Sequence, residues 1–219
     1  MGRAMLKAIF WDNDGILVDT EALYYQANRD ILSTIDIRLT PEQYRSISLD
    51  QGQSVLNLAR YKGYSDDQIT ALRQTRDTCY IQLLKQGVRI YPGVEETLRA
   101  LHGKAAMGIV TSSPKSYFNV MHRQTGLLPF FNLILTREDF TRTKPDPEPY
   151  LLALKLAGTK PEESLVIEDT LRGLEAAKAA GIPCIIIPNE LTKHQHFSGA
   201  EKILSQITDL VSLIDNHYI

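Results

Sequence analysis

Two carboxylates, Asp12 and Asp14, stand two residues apart in the segment AIFWDNDGILVDTE, directly after an apolar run over residues 8–11. Like charges at the end of a buried strand repel one another and resist desolvation, so something must neutralise or use them. Further along, other apolar, β-branched runs end in groups that chemistry can use. Residues 107–110 are followed by Thr111, Ser112 and Ser113, and residues 133–135 lead through a loop to Lys144 in TKPDPEPY. Residues 165–167 end at Glu168 and Asp169 in VIEDT. Acids from two strands suit a hard, oxygen-preferring cation such as Mg2+, which keeps some waters and accepts phosphate oxygens. A hydroxyl donor and a compact lysine charge suit a phosphate group. Brought to one place, these residues compose a site for phosphoryl transfer.

Bringing them to one place is the task of the elements between them. Apolar runs at 8–11, 107–110, 133–135, 165–167 and 184–187 alternate with stretches that carry helix start and stop signals. Ser113-Pro114 opens one helix, which Thr125-Gly126 closes; Asp146-Pro147-Glu148 opens a second, which Gly158 closes. Thr170 opens a third, stopped by Gly181. The alternation predicts an α/β fold, a Rossmann-like parallel sheet with helices on both faces, in which ligands bind beyond the carboxyl ends of the strands. Residues 19–88 interrupt it with amphipathic helical stretches and two capping boxes, Thr40 to Gln43 and Ser65 to Gln68. The chain is therefore expected to form a discontinuous α/β core, residues 1–18 and 89–219, and an inserted α-helical cap, residues 19–88, hinged about 16–20 and 86–92. An insertion that leaves and returns beside the end of the first strand is expected to lie over the site.

With 43% hydrophobic and 23% charged residues among 219, the composition is that of an ordinary globular protein. A net charge of −2 provides no basic footprint for nucleic acid or an anionic membrane surface. No apolar run approaches the roughly 20 residues of a membrane span. Cys79 and Cys184 have neither metal nor redox spacing. They are expected as reduced thiols in a cytoplasmic protein, Cys79 on the inner face of a cap helix and Cys184 on a sheet face. His194 and His196 have no carboxylate in suitable spacing and are expected in a surface loop. Strand alternation turns Trp11 away from Asp12 and into the core, and Ser113 is expected to cap the helix beginning at Pro114. The oligomeric state is left open.

In order and register, the four strand-end motifs resemble those of the haloacid dehalogenase superfamily, over essentially the whole chain. Asp12-Asn13-Asp14-Gly15 is similar to the first motif, Thr111 after GIV to the second and Lys144-Pro145 to the third. Glu168-Asp169, with Gly173 and the AAKAAG helix, is similar to the fourth. The place of the helical insert resembles the subgroup of β-phosphoglucomutase and phosphoglycolate phosphatase. The resemblance implies a nucleophile at Asp12, forming an aspartyl-phosphate, and an acid–base group at Asp14. It implies phosphate binding by Thr111, Ser112 and Lys144, and Mg2+ held by Asp12, the backbone carbonyl of Asp14 and Asp169. Glu168 is implied either as a further ligand or as a base behind the metal-bound waters.

The implied function is Mg2+-dependent hydrolysis of a small phosphorylated metabolite. A phosphosugar mutase of the β-phosphoglucomutase type shares all four motifs, but such mutases grip a second phosphate with an arginine-bearing cap loop. The equivalent stretch here, SISLDQGQSVLNL, has no lysine or arginine, Arg45 lying just before it. It offers Gln51, Gln53 and Ser54, which favours the phosphatase and makes these three the candidates for substrate specificity. A dehalogenase would not need Asp14, and a phosphonatase would be expected to lack a carboxylate there. Phospho-signalling receiver domains are shorter and have no helical insert at this place, and no GxGxxG follows any strand.

Overall fold

The computed structural model describes residues 5–218. Along the chain, β1 (Ala8–Trp11) and β2 (Val18–Asp19) precede three helices, α1 (Glu21–Ser33), α2 (Pro41–Tyr44) and α3 (Asp66–Lys85). Then follow β3 (Arg89–Ile90), α4 (Val94–Leu101), β4 (Ala106–Val110), α5 (Lys115–Met121) and β5 (Leu133–Leu135). The chain continues through α6 (Glu148–Ala157), β6 (Ser164–Glu168) and α7 (Leu171–Ala179) to β7 (Cys184–Ile186), β8 (Lys202–Ile203) and α8 (Asp209–His217).

Two compact units result: one runs to Asp19 and resumes at Arg89, and the other is Thr20–Val88. The first unit holds a parallel six-stranded sheet in the order β5-β4-β1-β6-β7-β8. β1 is central, and all four of its residues are buried, as expected of a strand covered on both faces. The strand order reverses direction about β1, which is where such sheets open a crevice beyond their carboxyl ends. Register finishes the placement: Trp11 lies level with Ile109 of β4 and Ile167 of β6. Asp12, Thr111 and Glu168 therefore emerge together at one edge.

The sequence reading differs from the structure in detail. α5 ends at Met121, well before Thr125-Gly126, where the backbone leaves helical geometry at His122, whose ring turns inward to Thr125 and Asn13. Ser113 does not cap that helix, which has no side-chain cap; its hydroxyl is engaged by Asp14 instead. β8, α4 and α8 carried no signal that the sequence reading used. Trp11 and Cys184 are buried as expected, and His194 and His196 are exposed.

The second unit is helical. Both capping boxes form: Thr40 Oγ1 accepts from Gln43 N while Gln43 Oε1 accepts from Thr40 N, and Ser65 and Gln68 do the same. Cys79 is exposed rather than inward-facing. The buried stripe of α3 is taken by Ile69, Arg76, Tyr80 and Leu84, whose helical spacing leaves position 79 outside it. Residues Arg45–Asp50 form a π-helical turn. A short antiparallel ribbon, β2 with β3, pairs Val18 with Ile90 and Asp19 with Arg89 where the chain leaves and re-enters the first unit. Among the described residues no helix is long and apolar enough to cross a membrane.

Candidate active site

Lys144 organises the strand-end cluster. It sits in the loop between β5 and α6 and is only 5% exposed. Its Nζ donates to Asp12 Oδ1 at 2.6 Å, Glu168 Oε1 at 2.7 Å and the Val110 carbonyl at 2.8 Å. An ammonium has three protons, and all three are engaged. The Tyr150 ring lies 5.0 Å from the same nitrogen, and its hydroxyl donates to Glu168 Oε1 at 3.0 Å. Burial alone would lower the lysine's pKa, but the charges of Asp12 and Glu168 outweigh it and hold the group above its ordinary value.

Glu168, the last residue of β6, is 1% exposed. Its second oxygen accepts from the backbone N–H groups of Asp169 and Thr170 and from the Thr170 hydroxyl, at 3.1–3.3 Å. The space beside it requires glycine at 173: a Cβ there would fall 1.8 Å from the Glu168 carboxyl carbon. Gly15 is constrained in the same way. Its φ is +93°, and a Cβ would fall 2.3 Å from Asp169 Oδ2. Asn189, after β7, donates to that oxygen at 2.8 Å.

Asp14 faces the other side of the cluster. Its Oδ2 accepts from Ser113 Oγ at 2.8 Å, from Thr111 Oγ1 at 3.2 Å and from Asn13 Nδ2 at 3.2 Å. Ser112 is exposed beside them. Asp12, Glu168 and Asp169 can each offer an oxygen within 4.8 Å of the others. Lys144 therefore serves two buried carboxylates, Asp12 and Glu168, and a third, Asp169, lies beside them. Burial first, then the charges of Glu168 and Asp14, push the Asp12 carboxyl up to about 8, with Lys144 opposing them. An excess of buried acid with oxygen donors at this spacing fits a divalent cation of the Mg2+ kind.

The structure thus brings together Asp12, Asp14, Thr111, Lys144, Glu168 and Asp169, with Ser112 at the edge. Gln51, Gln53 and Ser54 belong to the helical unit, where Gln51 and Gln53 are exposed at the turn after the π-helix and Ser54 is half-buried. The sequence reading missed Tyr150, Asn189, Asn13, His122 and the bond from Ser113 to Asp14. Asn189 was within reach, since it follows the fifth apolar run and the strand-end reading stopped at the fourth. His122 gave no signal, because its partner lies 109 residues away in sequence.

A family described as haloacid dehalogenase-like hydrolase matches residues 9–187. The putative phosphatase YhcW of Bacillus subtilis (strain 168) is 29% identical, over 97% of this chain and 98% of its own. The phosphorylated carbohydrates phosphatase of Thermotoga maritima is 31% identical over 81% of this chain and 82% of its own. Among solved structures, that of CbbY from Rhodobacter sphaeroides in complex with phosphate is 25% identical with a TM-score of 0.81, covering 94% of this chain and 96% of that one. β-Phosphoglucomutase from Clostridium difficile, at 21% identity, 98% and 97% coverage and a TM-score of 0.80, shares the fold.

Proposed function

The chain belongs to the haloacid dehalogenase-like hydrolase family, and from that premise we propose that it is a Mg2+-dependent phosphatase that hydrolyses a small phosphorylated metabolite through an aspartyl-phosphate at Asp12. The observation that carries the reading is the triple bond of Lys144 to Asp12, Glu168 and the Val110 carbonyl. It fixes Asp12 Oδ1 and leaves the other carboxylate oxygen to attack phosphorus.

Asp12, the Asp14 carbonyl and Asp169 would hold the cation, which supplies charge neutralisation for the carboxylates and the phosphoryl oxygens. Glu168 is assigned to support rather than ligation, because its oxygens are already taken by Lys144, Tyr150, Thr170 and two backbone N–H groups. Asn189 orients Asp169. Lys144 neutralises the incoming phosphate, and the Thr111 hydroxyl donates to it with Ser112 beside it. Asp14 protonates the leaving oxygen and later takes a proton from the attacking water. Ser113, Thr111 and Asn13, all donating to Oδ2, hold its carboxyl group in place.

Hydrolysis is preferred over phosphosugar transfer because Gln51, Gln53 and Ser54 are neutral, and a mutase must grip a second phosphate with a cation. The phosphorylated carbohydrates phosphatase among the relatives points to sugar phosphates as the first class to assay. The test is a panel of phosphate esters with Mg2+, including sugar 1-phosphates with and without glucose 1,6-bisphosphate. Expected are release of inorganic phosphate, loss on chelation, recovery with Mg2+, and no bisphosphate stimulation. Isomerised sugar phosphate accumulating faster than free phosphate would replace this reading with the mutase.

A further inference from the structure

A buried polar chain enters the site from behind Asp14. Asn13 is fully buried and His122 is 4% exposed. Asn13 Nδ2 lies 3.2 Å from Asp14 Oδ2 and 3.5 Å from Met121 Sδ, while its Oδ1 lies 2.6 Å from His122 Nε2. His122 Nδ1 is 3.0 Å from Thr125 Oγ1, which accepts from Leu127 N at 3.3 Å.

The directions of these bonds follow from one condition. An ionised Asp14 can only accept, so the amide NH2 of Asn13 must face it and the amide carbonyl must face His122. His122 must then donate from Nε2 and accept at Nδ1 from the Thr125 hydroxyl, as a neutral imidazole does. Burial, with the Asp14 charge opposing it, pushes the His122 pKa down to about 4, which keeps the ring neutral. The Leu127 N–H, the Thr125 hydroxyl, the His122 Nε2–H and one Asn13 amide hydrogen then form a series directed toward Asp14. Asn13 Nδ2 also reaches Met121 Sδ, and Thr125 Oγ1 lies 3.5 Å from the His122 carbonyl.

We infer that Asn13 and His122 are positioning residues that aim the Asp14 carboxylate. The inference rests on Asp14 being the acid–base group of the proposed reaction. A buried amide and imidazole cost more than apolar side chains unless their orientation is used. Of the donors to Asp14, the Thr111 hydroxyl would be needed by the phosphoryl group, whereas the Asn13 amide has no phosphate to serve. His122 stops that amide from flipping, which would set an acceptor against the carboxylate.

The test compares His122→Phe, His122→Gln, Asn13→Leu and Asp14→Asn on a sugar phosphate and on nitrophenyl phosphate, with Mg2+ affinity measured by calorimetry. Nitrophenolate leaves without protonation, so it is insensitive to the aim of the acid. His122→Phe and Asn13→Leu should lose about tenfold in kcat/KM, which reports the steps through departure of the leaving group, on the sugar phosphate and less than about threefold on nitrophenyl phosphate. Mg2+ affinity should stay unchanged, and His122→Gln, which keeps an N–H donor, should regain part of the loss. Equal losses on both esters, or none on either, overturn the inference. If Asp14→Asn shows the leaving-group split and the other variants do not, only the positioning role fails. If Asp14→Asn shows no split, its acid role fails and the inference falls with it. Should His122→Phe not fold, Asn13→Leu, which keeps the volume, carries the same comparison.

Discussion

Each unit buries a charged network, and the two networks are built on opposite terms. In the helical unit, Arg76 is 5% exposed and bonds Tyr24 Oη at 2.5 Å, Asn28 Oδ1 at 3.0 Å and Asp77 Oδ1 at 2.7 Å. Its guanidinium stacks 4.6 Å from the Tyr24 ring. Here a cation meets a carboxylate and neutral acceptors. At the strand ends of the first unit, one lysine serves two buried carboxylates, Asp12 and Glu168, and a third, Asp169, lies beside them. The closed network holds its helices together. The open one gathers more carboxylates than cations, and that crowding, with burial, raises the Asp12 carboxyl to about 8.

The largest effect should separate the two networks. If Asp12 is the nucleophile, as proposed, Asp12→Asn should lower turnover by on the order of 10⁴-fold or more, with no phosphoenzyme trapped. In metal-free protein the same change relieves like-charge crowding, so the thermal midpoint should hold or rise. Arg76→Met should do the reverse for stability. Removing one member of a buried pair leaves its partners unmatched and costs about 3–4 kcal/mol, read by urea unfolding. Equal destabilisation by both variants would erase the distinction.

Acid and metal should sharpen it next. The Asp12 carboxyl is raised from 3.8 to about 8 by burial and then by its acidic neighbours, against Lys144. Between those values the folded protein binds a proton that the unfolded chain has released, so metal-free stability should fall as pH rises through this window. Mg2+ held by Asp12, as proposed, would have to displace that proton. Its affinity should therefore climb with pH up to about 8, and calorimetry in buffers of different ionisation enthalpy should show proton release. His122 has the opposite sign. Burial depresses it from 6.5 to about 4, so its contribution is present above pH 6.5 and is lost as pH falls toward 4. The full difference amounts to about 3 kcal/mol. Melting curves over that range should flatten in His122→Phe by comparison with the parent protein.

The open network was largely legible in the sequence and the closed one was not. Asp12, Thr111, Lys144, Glu168 and Asp169 follow apolar runs, and a parallel sheet with β1 at its centre delivers strand ends to one edge. Backbone topology brings together all but Lys144, which the loop after β5 carries in. Arg76 meets Tyr24 and Asn28 through the packing of α3 on α1, and no local pattern marks an arginine whose burial depends on a partner 48 residues away. Ser113 shows the same limit in the first unit. Its sequence position fits a helix cap, yet tertiary geometry gives its hydroxyl to Asp14. α4 follows Gly93, with φ +81°, and neither α4 nor α8 has a side-chain cap, although the sequence carries start signals for both, Glu95-Glu96 in one first turn and Thr208-Asp209 at the other. β8 is two exposed residues long and has no alternation to read.

The smallest expected effect concerns Gln51 and Gln53, which belong to neither network. Both are exposed, so the double alanine variant should change stability by no more than about 0.5 kcal/mol. If this turn of the proposed cap reads the substrate, each lost hydrogen bond to a polyol weakens recognition by about 1 kcal/mol, roughly fivefold in kcat/KM. The ranking among sugar phosphates should shift accordingly. Nitrophenyl phosphate, which has no hydroxyls to recognise, should be hydrolysed as before. Lysine at position 53 sharpens the point, because it would add the cation that a second phosphate needs. Gln53→Lys should then improve binding of a bisphosphate over a monophosphate, and the gain should shrink in high salt. Should the alanine variant instead lose activity equally on every ester, nitrophenyl phosphate included, the turn serves the helical unit as a whole, and specificity lies elsewhere.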